Sequence, residues 1–349
     1  MSRIMLAMSG GVDSSVAGAL LLEAGHEVVG VTMKLWGGSA DSGCCSLADV
    51  TDARRVADQL GIDHAVFNLG DDFDTHVVEP YVAAHAAGVT PNPCIECNRH
   101  IKFDRLLERA DQLGFDAVAT GHHAHIVATE DGRWELHRGA DQAKDQSYVV
   151  HMLDQDALAR TLFPLGTIDK TEVRRIAADL GLRTADKPDS QDVCFISSDL
   201  GREAFLKERI PLQPAVVVDR DGQRLGEVDS VEVVTIGQRR GLGLPGGGPK
   251  RYVIDIDHAA HVVTVGEDSD LFDDHLTVAA VTWIDRPCPG RVLVQCSAHG
   301  RAEPAVVSVD GDRVIARWEC PQRRIAPGQS AVFYSTDNQR VLGGGTVVS

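Results

Sequence analysis

Short β-branched runs alternate with longer stretches of helical periodicity from residue 3 to about residue 185, a rhythm that points to a parallel sheet covered by helices on both faces. Residues 4–8 read as a buried first strand, 27–33 as a second, 64–67 as a third and 116–120 as a further one. Apolar residues at helical spacing mark helices over 13–24, 47–60, 99–113 and 171–180, each followed by a glycine suited to a C-terminal cap: Gly25, Gly61, Gly114 and Gly181. The fold class expected is α/β, a doubly wound parallel sheet.

Past a boundary placed near residue 205 the period changes to two. The runs 215–218, 252–256, 262–265, 291–295, 314–318 and 331–334 read as antiparallel β, with a second β unit starting near Leu271. The glycine-rich stretch 241–249 has no periodic apolar face and reads as a mobile loop. Three units are expected: residues 1–205, a small central β domain over 206–270 and a C-terminal β-barrel-like domain over 271–349.

The 349 residues carry 51 Asp and Glu against 34 Lys and Arg, a formal charge of −17. This balance argues against indiscriminate polyanion binding, so any nucleic-acid contact needs a local basic patch. Arg239, Arg240, Lys250 and Arg251 offer one, because no acid lies between Gly237 and Arg251. With 43% hydrophobic and 24% charged residues the composition is that of a folded globular chain, neither disordered nor collagen-like. The apolar run before Ser9 is too short for a signal sequence, and no run of about 18 apolar residues follows, so a cytoplasmic protein with no membrane contact is expected. In that compartment the eight cysteines are expected to be free, catalytic or metal-bound rather than a disulfide scaffold.

Ser9-Gly10-Gly11-Val12-Asp13-Ser14-Ser15 lies where the first strand passes into the first helix. Open backbone N–H groups and a helix N-terminus there make an anion site, for which phosphate is the natural guest. The segment lacks both the lysine of a kinase- or GTPase-type phosphate loop and the spacing of a dinucleotide fingerprint. A tight turn capped by Asp13 or Ser14 is the alternative.

Thr90-Pro91-Asn92-Pro93-Cys94-Ile95-Glu96-Cys97-Asn98 reads as a proline-stiffened loop before the helix bearing Arg99, Lys102 and Arg105, a setting that favours thiolate. Cys194 follows the polar run Asp189-Ser190-Gln191-Asp192 and sits among Val193, Phe195 and Ile196, the usual surroundings of a structural thiol. Three cofactor or redox readings stay open. Zinc on Cys94 and Cys97 lacks a second cysteine pair, a [4Fe-4S] cluster would take Cys94, Cys97 and Cys194, and a thioredoxin-like pair would use Cys94 and Cys97 alone. His122, His123 and His125 suggest either a metal cluster or hydrogen-bonding groups at a strand end. Cys44, Cys45, Cys288, Cys296 and Cys320 default to packing.

The glycine segment resembles the pyrophosphate loop of the ATP pyrophosphatase enzymes, which cleave ATP between its α and β phosphates and adenylate an acceptor. The resemblance extends further. Val31-Thr32-Met33-Lys34-Leu35-Trp36, Ala119-Thr120-Gly121-His122, Lys144-Asp145-Gln146-Ser147-Tyr148, Thr235-Ile236-Gly237-Gln238-Arg239-Arg240, Pro327-Gly328-Gln329-Ser330 and Leu342-Gly343-Gly344-Gly345 join the two cysteine segments. In this order, and over nearly the whole length, they are similar to the tRNA-specific 2-thiouridylase family.

The resemblance implies ATP along Ala7, Met8, Ser9, Gly10, Gly11, Val12, Asp13 and Ser14, with Met33 and Gly121 near the adenosine and Asp13 in the catalytic set. Mg²⁺ is expected with ATP, because the loop has no lysine to neutralise pyrophosphate. The acceptor implied is the wobble uridine at anticodon position 34 of tRNAs of the Lys, Glu and Gln type, activated at uracil O2. Cys194 would carry a persulfide filled by a cysteine desulfurase or a relay protein, and Cys97 would be the nucleophile that forms a transient disulfide with it. Both loops are then expected to order on tRNA binding. Asn92, Pro93, Cys94, Lys144, Asp145, Gln146, Arg239 and Arg240 would contact the tRNA or its base, and a monomer is expected. The chain departs from the family's pattern at Cys94, where many members carry Asp, at Val228, where His is usual, and at Gln295-Cys296, where some carry Arg-Tyr. An amidating or other adenylating ligase, an iron-sulfur-dependent form of the same thiolation, and an RNA-binding protein gated by nucleotide without turnover are the competing readings.

Overall fold

The computed structural model describes residues 1–35, 47–188, 193–196, 201–245 and 248–348, so Trp36, Cys44, Cys45 and residues 189–192 of the motifs above lie outside the described residues. Five short strands lie parallel in the order Asp63–Asn68, Glu27–Lys34, Arg3–Ala7, Ala117–Ala119, Thr161–Leu162. Strand alternation explains why the first of them is apolar throughout. Ile4 and Leu6 pack on one face with Val16, Ala17, Ala53 and Val56 of the helices Val12–Glu23 and Leu47–Leu60, while Met5 and Ala7 face Leu106, Ala110 and Phe115 on the other. The chain runs outward from Arg3–Ala7 in one direction, then returns to its other side at Ala117–Ala119. That reversal opens a crevice at the carboxyl ends of these two strands, where sheets of this type bind ligands. Gly25, Gly61, Gly114 and Gly181 all take the positive φ expected of C-terminal caps.

Four features differ from the sequence reading. The predicted helix 99–113 begins earlier: Asn92 accepts a hydrogen bond from the Cys94 N–H, Pro93 fills the first helical position, and the helix runs on through a π-helical stretch, Cys97–Arg105, to Leu106–Gln112. Cys94 and Cys97 therefore lie within its opening turns and not in a loop before it. A short helix, Gly201–Lys207, spans the expected boundary at 205. The hairpin Ala124–Ala128 and Trp134–Arg138 pairs through its second strand with Arg340–Val347, so a segment of the α/β half extends the C-terminal sheet. In the central sheet, Val262–Gly266 runs parallel to Ala215–Val218, the one exception there to antiparallel pairing among the described residues.

The C-terminal strands close into a six-stranded antiparallel barrel, because Phe272–Trp283 pairs with both Arg313–Arg323 and Arg340–Val347. Its interior is filled by Val278, Val292, Ala305, Val314, Ala316, Ala331 and Phe333. Among the described residues no helix is long and apolar enough to cross a membrane.

Candidate active site

The glycine loop opens at the crevice. Gly10 adopts φ +71, and a Cβ on it would stand 2.4 Å from the Asp49 carbonyl oxygen, so only glycine lets the loop pass so close to the next helix. Gly11 is the N-cap of the helix Val12–Glu23, and Ser14 Oγ accepts the Ser9 N–H across the turn at 3.3 Å. Ser14 and Ser15 donate from Oγ to the Gly11 carbonyl oxygen at 3.2 and 2.8 Å, leaving the helix N-terminus aimed at the crevice. Gly121, at the end of the neighbouring strand, would place a Cβ 2.7 Å from the Ser14 nitrogen, so the two loops nearly touch.

Asp13 faces two cationic or proton-bearing partners. Lys170 Nζ lies 2.7 Å from both of its carboxylate oxygens, and His123 Nε2 lies 3.1 Å from Oδ1. Burial would raise the Asp13 carboxyl, but the hydrogen bonds from His123 and Lys170 outweigh it and hold the group below its ordinary value. Lys187 Nζ donates to the Gly10 carbonyl oxygen at 3.0 Å and to Asp49 and Asp52 at 2.7 and 2.9 Å. Sequence reading missed both lysines: the loop itself carries none, and these two reach it from distant segments, while His123 takes the hydrogen-bonding role that was one of its two readings. Lys170 opens a helix signalled by its own Asp169 cap, yet nothing in its neighbourhood points to Asp13.

Cys97 is 6% exposed and sits in an apolar cluster with Leu69, Phe73, Tyr81 and Phe195, against which Cys194 also packs. Phe195 anchors its neighbour Cys194 there through edge contacts with Phe73 at 5.6 Å and Tyr81 at 5.4 Å between ring centroids. The two thiols named from separate segments thus border the same apolar cluster, on which Met33 also packs. Cys94 is exposed. Among the described residues only Asp273, Asp274 and His275 bring three possible ligand atoms within 4.8 Å of one another, so neither the cysteines nor the histidines form a single-ion site there. His122 is a buried hydrogen-bonding group: its Nδ1 lies 2.7 Å from Thr120 Oγ1, and burial, aided by the charges of Lys102 and His123, pushes it well below its usual value.

Several residues assigned to tRNA have other partners. Asn92 caps the cysteine helix and Pro93 is buried at its start. Asp145 is consumed inside the fold, where its carboxylate takes Arg138 Nη1 at 2.6 Å, the Gly139 N–H at 2.9 Å and Ser147 Oγ at 2.8 Å. Gln146 Oε1 accepts from the His123 N–H at 2.9 Å, which braces the loop behind Asp13. Lys144 is half-buried. Arg239 and Arg240 are exposed, held on a turn where Gln238 Nε2 donates to the Arg240 carbonyl oxygen at 2.9 Å and the Gly237 N–H to Val253 O at 2.8 Å. Gln295, one of the departures from the family pattern, accepts from Arg138 Nη2 at 2.8 Å.

Residues 2–198 match the family model described as a tRNA methyl transferase HUP domain, 203–267 a tRNA methyl transferase PRC-barrel domain and 273–347 an aminomethyltransferase beta-barrel domain. The tRNA-specific 2-thiouridylase MnmA of Chloroflexus aurantiacus is 48% identical, over 99% of this chain and 98% of its own. That of Acidothermus cellulolyticus is 48% identical over 99% and 97%, and that of Symbiobacterium thermophilum 46% over 99% and 92%. These relatives match from end to end and are named for thiolation, whereas the domain descriptions mention methyl transfer. On that end-to-end similarity, the chain belongs to the tRNA-specific 2-thiouridylase family.

Proposed function

We propose that the protein performs ATP-dependent 2-thiolation of the wobble uridine of tRNA. The observation that supports the reading is that Cys97 and Cys194 border one apolar cluster in a domain whose sheet carries the glycine loop at its switch point. In this reading ATP lies against Ala7, Met8, Ser9, Gly10, Gly11, Val12, Asp13 and Ser14, with Met33 and Gly121 at the adenosine and with Lys170 and Lys187 supplying charge beside the phosphates. Mg²⁺ bound with ATP would neutralise the leaving pyrophosphate, and Asp13, held ionised and 31% exposed at its side chain, fits the task of holding it.

Uracil O2 attacks the α-phosphorus and pyrophosphate leaves, which turns O2 into a good leaving group. The terminal sulfur of a Cys194 persulfide then adds to C2 and AMP departs. Attack of the Cys97 thiolate on Cys194 Sγ breaks the persulfide S–S bond, leaves sulfur on C2 as the thiocarbonyl and joins the two cysteines in a disulfide. An external thiol reductant returns both to thiols, and a cysteine desulfurase or relay protein reloads Cys194. That cycle needs the two sulfurs within bonding distance in one conformation, which their common cluster favours. An iron-sulfur form would need Cys94 to join them, but Cys94 is exposed while the other two pack on apolar side chains, so no step is routed through a cluster. Residues 1–205 supply this chemistry, while 206–270 and 271–349, with Arg239 and Arg240, hold tRNA of the Lys, Glu or Gln type. Incubating Cys194→Ala with ATP, Mg²⁺ and tRNA tests the order of steps: AMP-charged tRNA accumulating without thiolation supports it, and no pyrophosphate release from native protein contradicts it.

A further inference from the structure

Thr90 lies just ahead of the cysteine helix, and the C-terminal barrel holds both its backbone N–H and its carbonyl oxygen. The Thr90 N–H donates to the Pro327 carbonyl oxygen at 3.0 Å, and Gln329 Nε2 donates to the Thr90 carbonyl oxygen at 2.7 Å. The turn that does this is fixed to the barrel, since the Gly328 N–H donates to Val347 O at 2.9 Å and the Val347 N–H to Gln329 O at 2.8 Å. Gly328 takes φ +92, and a Cβ there would stand 2.4 Å from Val89 Cγ1, so the approach is as close as backbone allows. On the other flank, a Cβ on Gly88 would overlap the His258 ring of the central domain. Between Thr90 and the helix stand only Pro91 and the capping Asn92, and Pro93 opens the helix itself. Two prolines with fixed φ make that link stiff, so the placement of the Thr90 peptide is passed on to the first turns, where Cys94 and Cys97 sit.

We propose that Gln329 is a positioning residue for Cys97: the barrel, which touches neither ATP nor sulfur in the proposed reading, sets the place of the nucleophile through the Thr90 peptide. The inference rests on the assignment of Cys97 as that nucleophile. It also gives a task to the Pro327-Gly328-Gln329 motif that binding of tRNA alone does not require. An attacking thiolate misplaced by a fraction of an ångström loses rate and not affinity.

Steady-state thiolation by the full-length protein, with tRNA, ATP, Mg²⁺ and a persulfide donor, tests it with three variants of Gln329. Gln329→Met keeps the volume and removes the donor, Gln329→Glu presents an acceptor to the Thr90 carbonyl, and Gln329→Lys restores a donor of similar reach. The expected result is a kcat lower by about tenfold or more in the first two, a KM for tRNA and a single-turnover rate of AMP release, the step before Cys97 attacks, within about twofold of native, and recovery of most of the rate in Gln329→Lys. If Gln329→Met does not fold, the same split in Gln329→Glu carries the test. A native kcat in Gln329→Met and Gln329→Glu, or a raised KM with kcat unchanged, overturns the proposal. Cys97→Ala in the same assay separates the two levels: full activity there removes the nucleophile assignment itself, whereas an inactive Cys97→Ala beside a fully active Gln329→Met removes the positioning role alone.

Discussion

Lys170 and Asp13, 157 residues apart in the chain, meet with the ammonium 2.7 Å from each carboxylate oxygen at the mouth of the glycine loop. His123 completes the set from a third segment. The arrangement favours an ionised acid beside the loop proposed to hold phosphate, with its charge balanced by Lys170.

Lys170→Met should therefore weaken both the fold and ATP binding, with a stability loss of about 1–3 kcal/mol for a charged hydrogen bond left unmade. Because the Asp13 carboxyl is held below its ordinary value, its contribution is present above the unfolded value of about 4 and is lost as pH falls through the lower folded one. Denaturant titrations should show the native-minus-variant difference full near pH 7 and shrinking toward pH 3. A difference that stays constant over that range would remove Asp13 as its source.

Gly10→Ala asks an L-residue to hold φ +71 with its Cβ against the Asp49 carbonyl. The backbone conformation alone costs about 1–2 kcal/mol, and the loop must shift to relieve the contact. We expect calorimetric ATP affinity to fall by at least about tenfold, and unchanged affinity would mean that the loop is not the phosphate site.

Much of this was legible locally. The β-α rhythm, the glycine caps and the strand-loop-helix placement of the glycine segment depend on near neighbours, and all have counterparts in the fold. Lys170 and Lys187 were not legible as site residues, nor was Asp13 as the partner of His123, because each pairing spans more than a hundred residues. The hairpin ending at Arg138 was lost for the same reason, its sheet partner lying two hundred residues on. The early start of the cysteine helix has a local signal, because Asn92-Pro93 is a cap followed by a first-position proline, but the same two residues also fit a stiff loop.

Arg138 and Asp145 form a pair whose side chains are 11% and 5% exposed. Asp145→Asn should destabilise the protein by about 3–5 kcal/mol, the cost of leaving one partner of a buried pair, while the folded fraction keeps its KM for tRNA. A stable Asp145→Asn protein with a raised KM would return Asp145 to the RNA interface.

Arg239 and Arg240 stand exposed on a braced turn in a protein of net charge −17. If each meets a phosphate, replacing one with Ala should lower the slope of log affinity against log salt by about one. Filter binding over a salt series measures this, and an unchanged slope would place the tRNA elsewhere.

The central claim is that Cys97 and Cys194 together put sulfur on a uridine. Mass spectrometry of nucleosides from tRNA incubated anaerobically with the protein, ATP, Mg²⁺ and a persulfide donor, alongside iron content, tests it most directly. The account predicts 2-thiouridine from the native protein and from an iron-free preparation, and none from Cys97→Ala or Cys194→Ala. Thiolation that survives either substitution, or that appears only with iron bound, would contradict it.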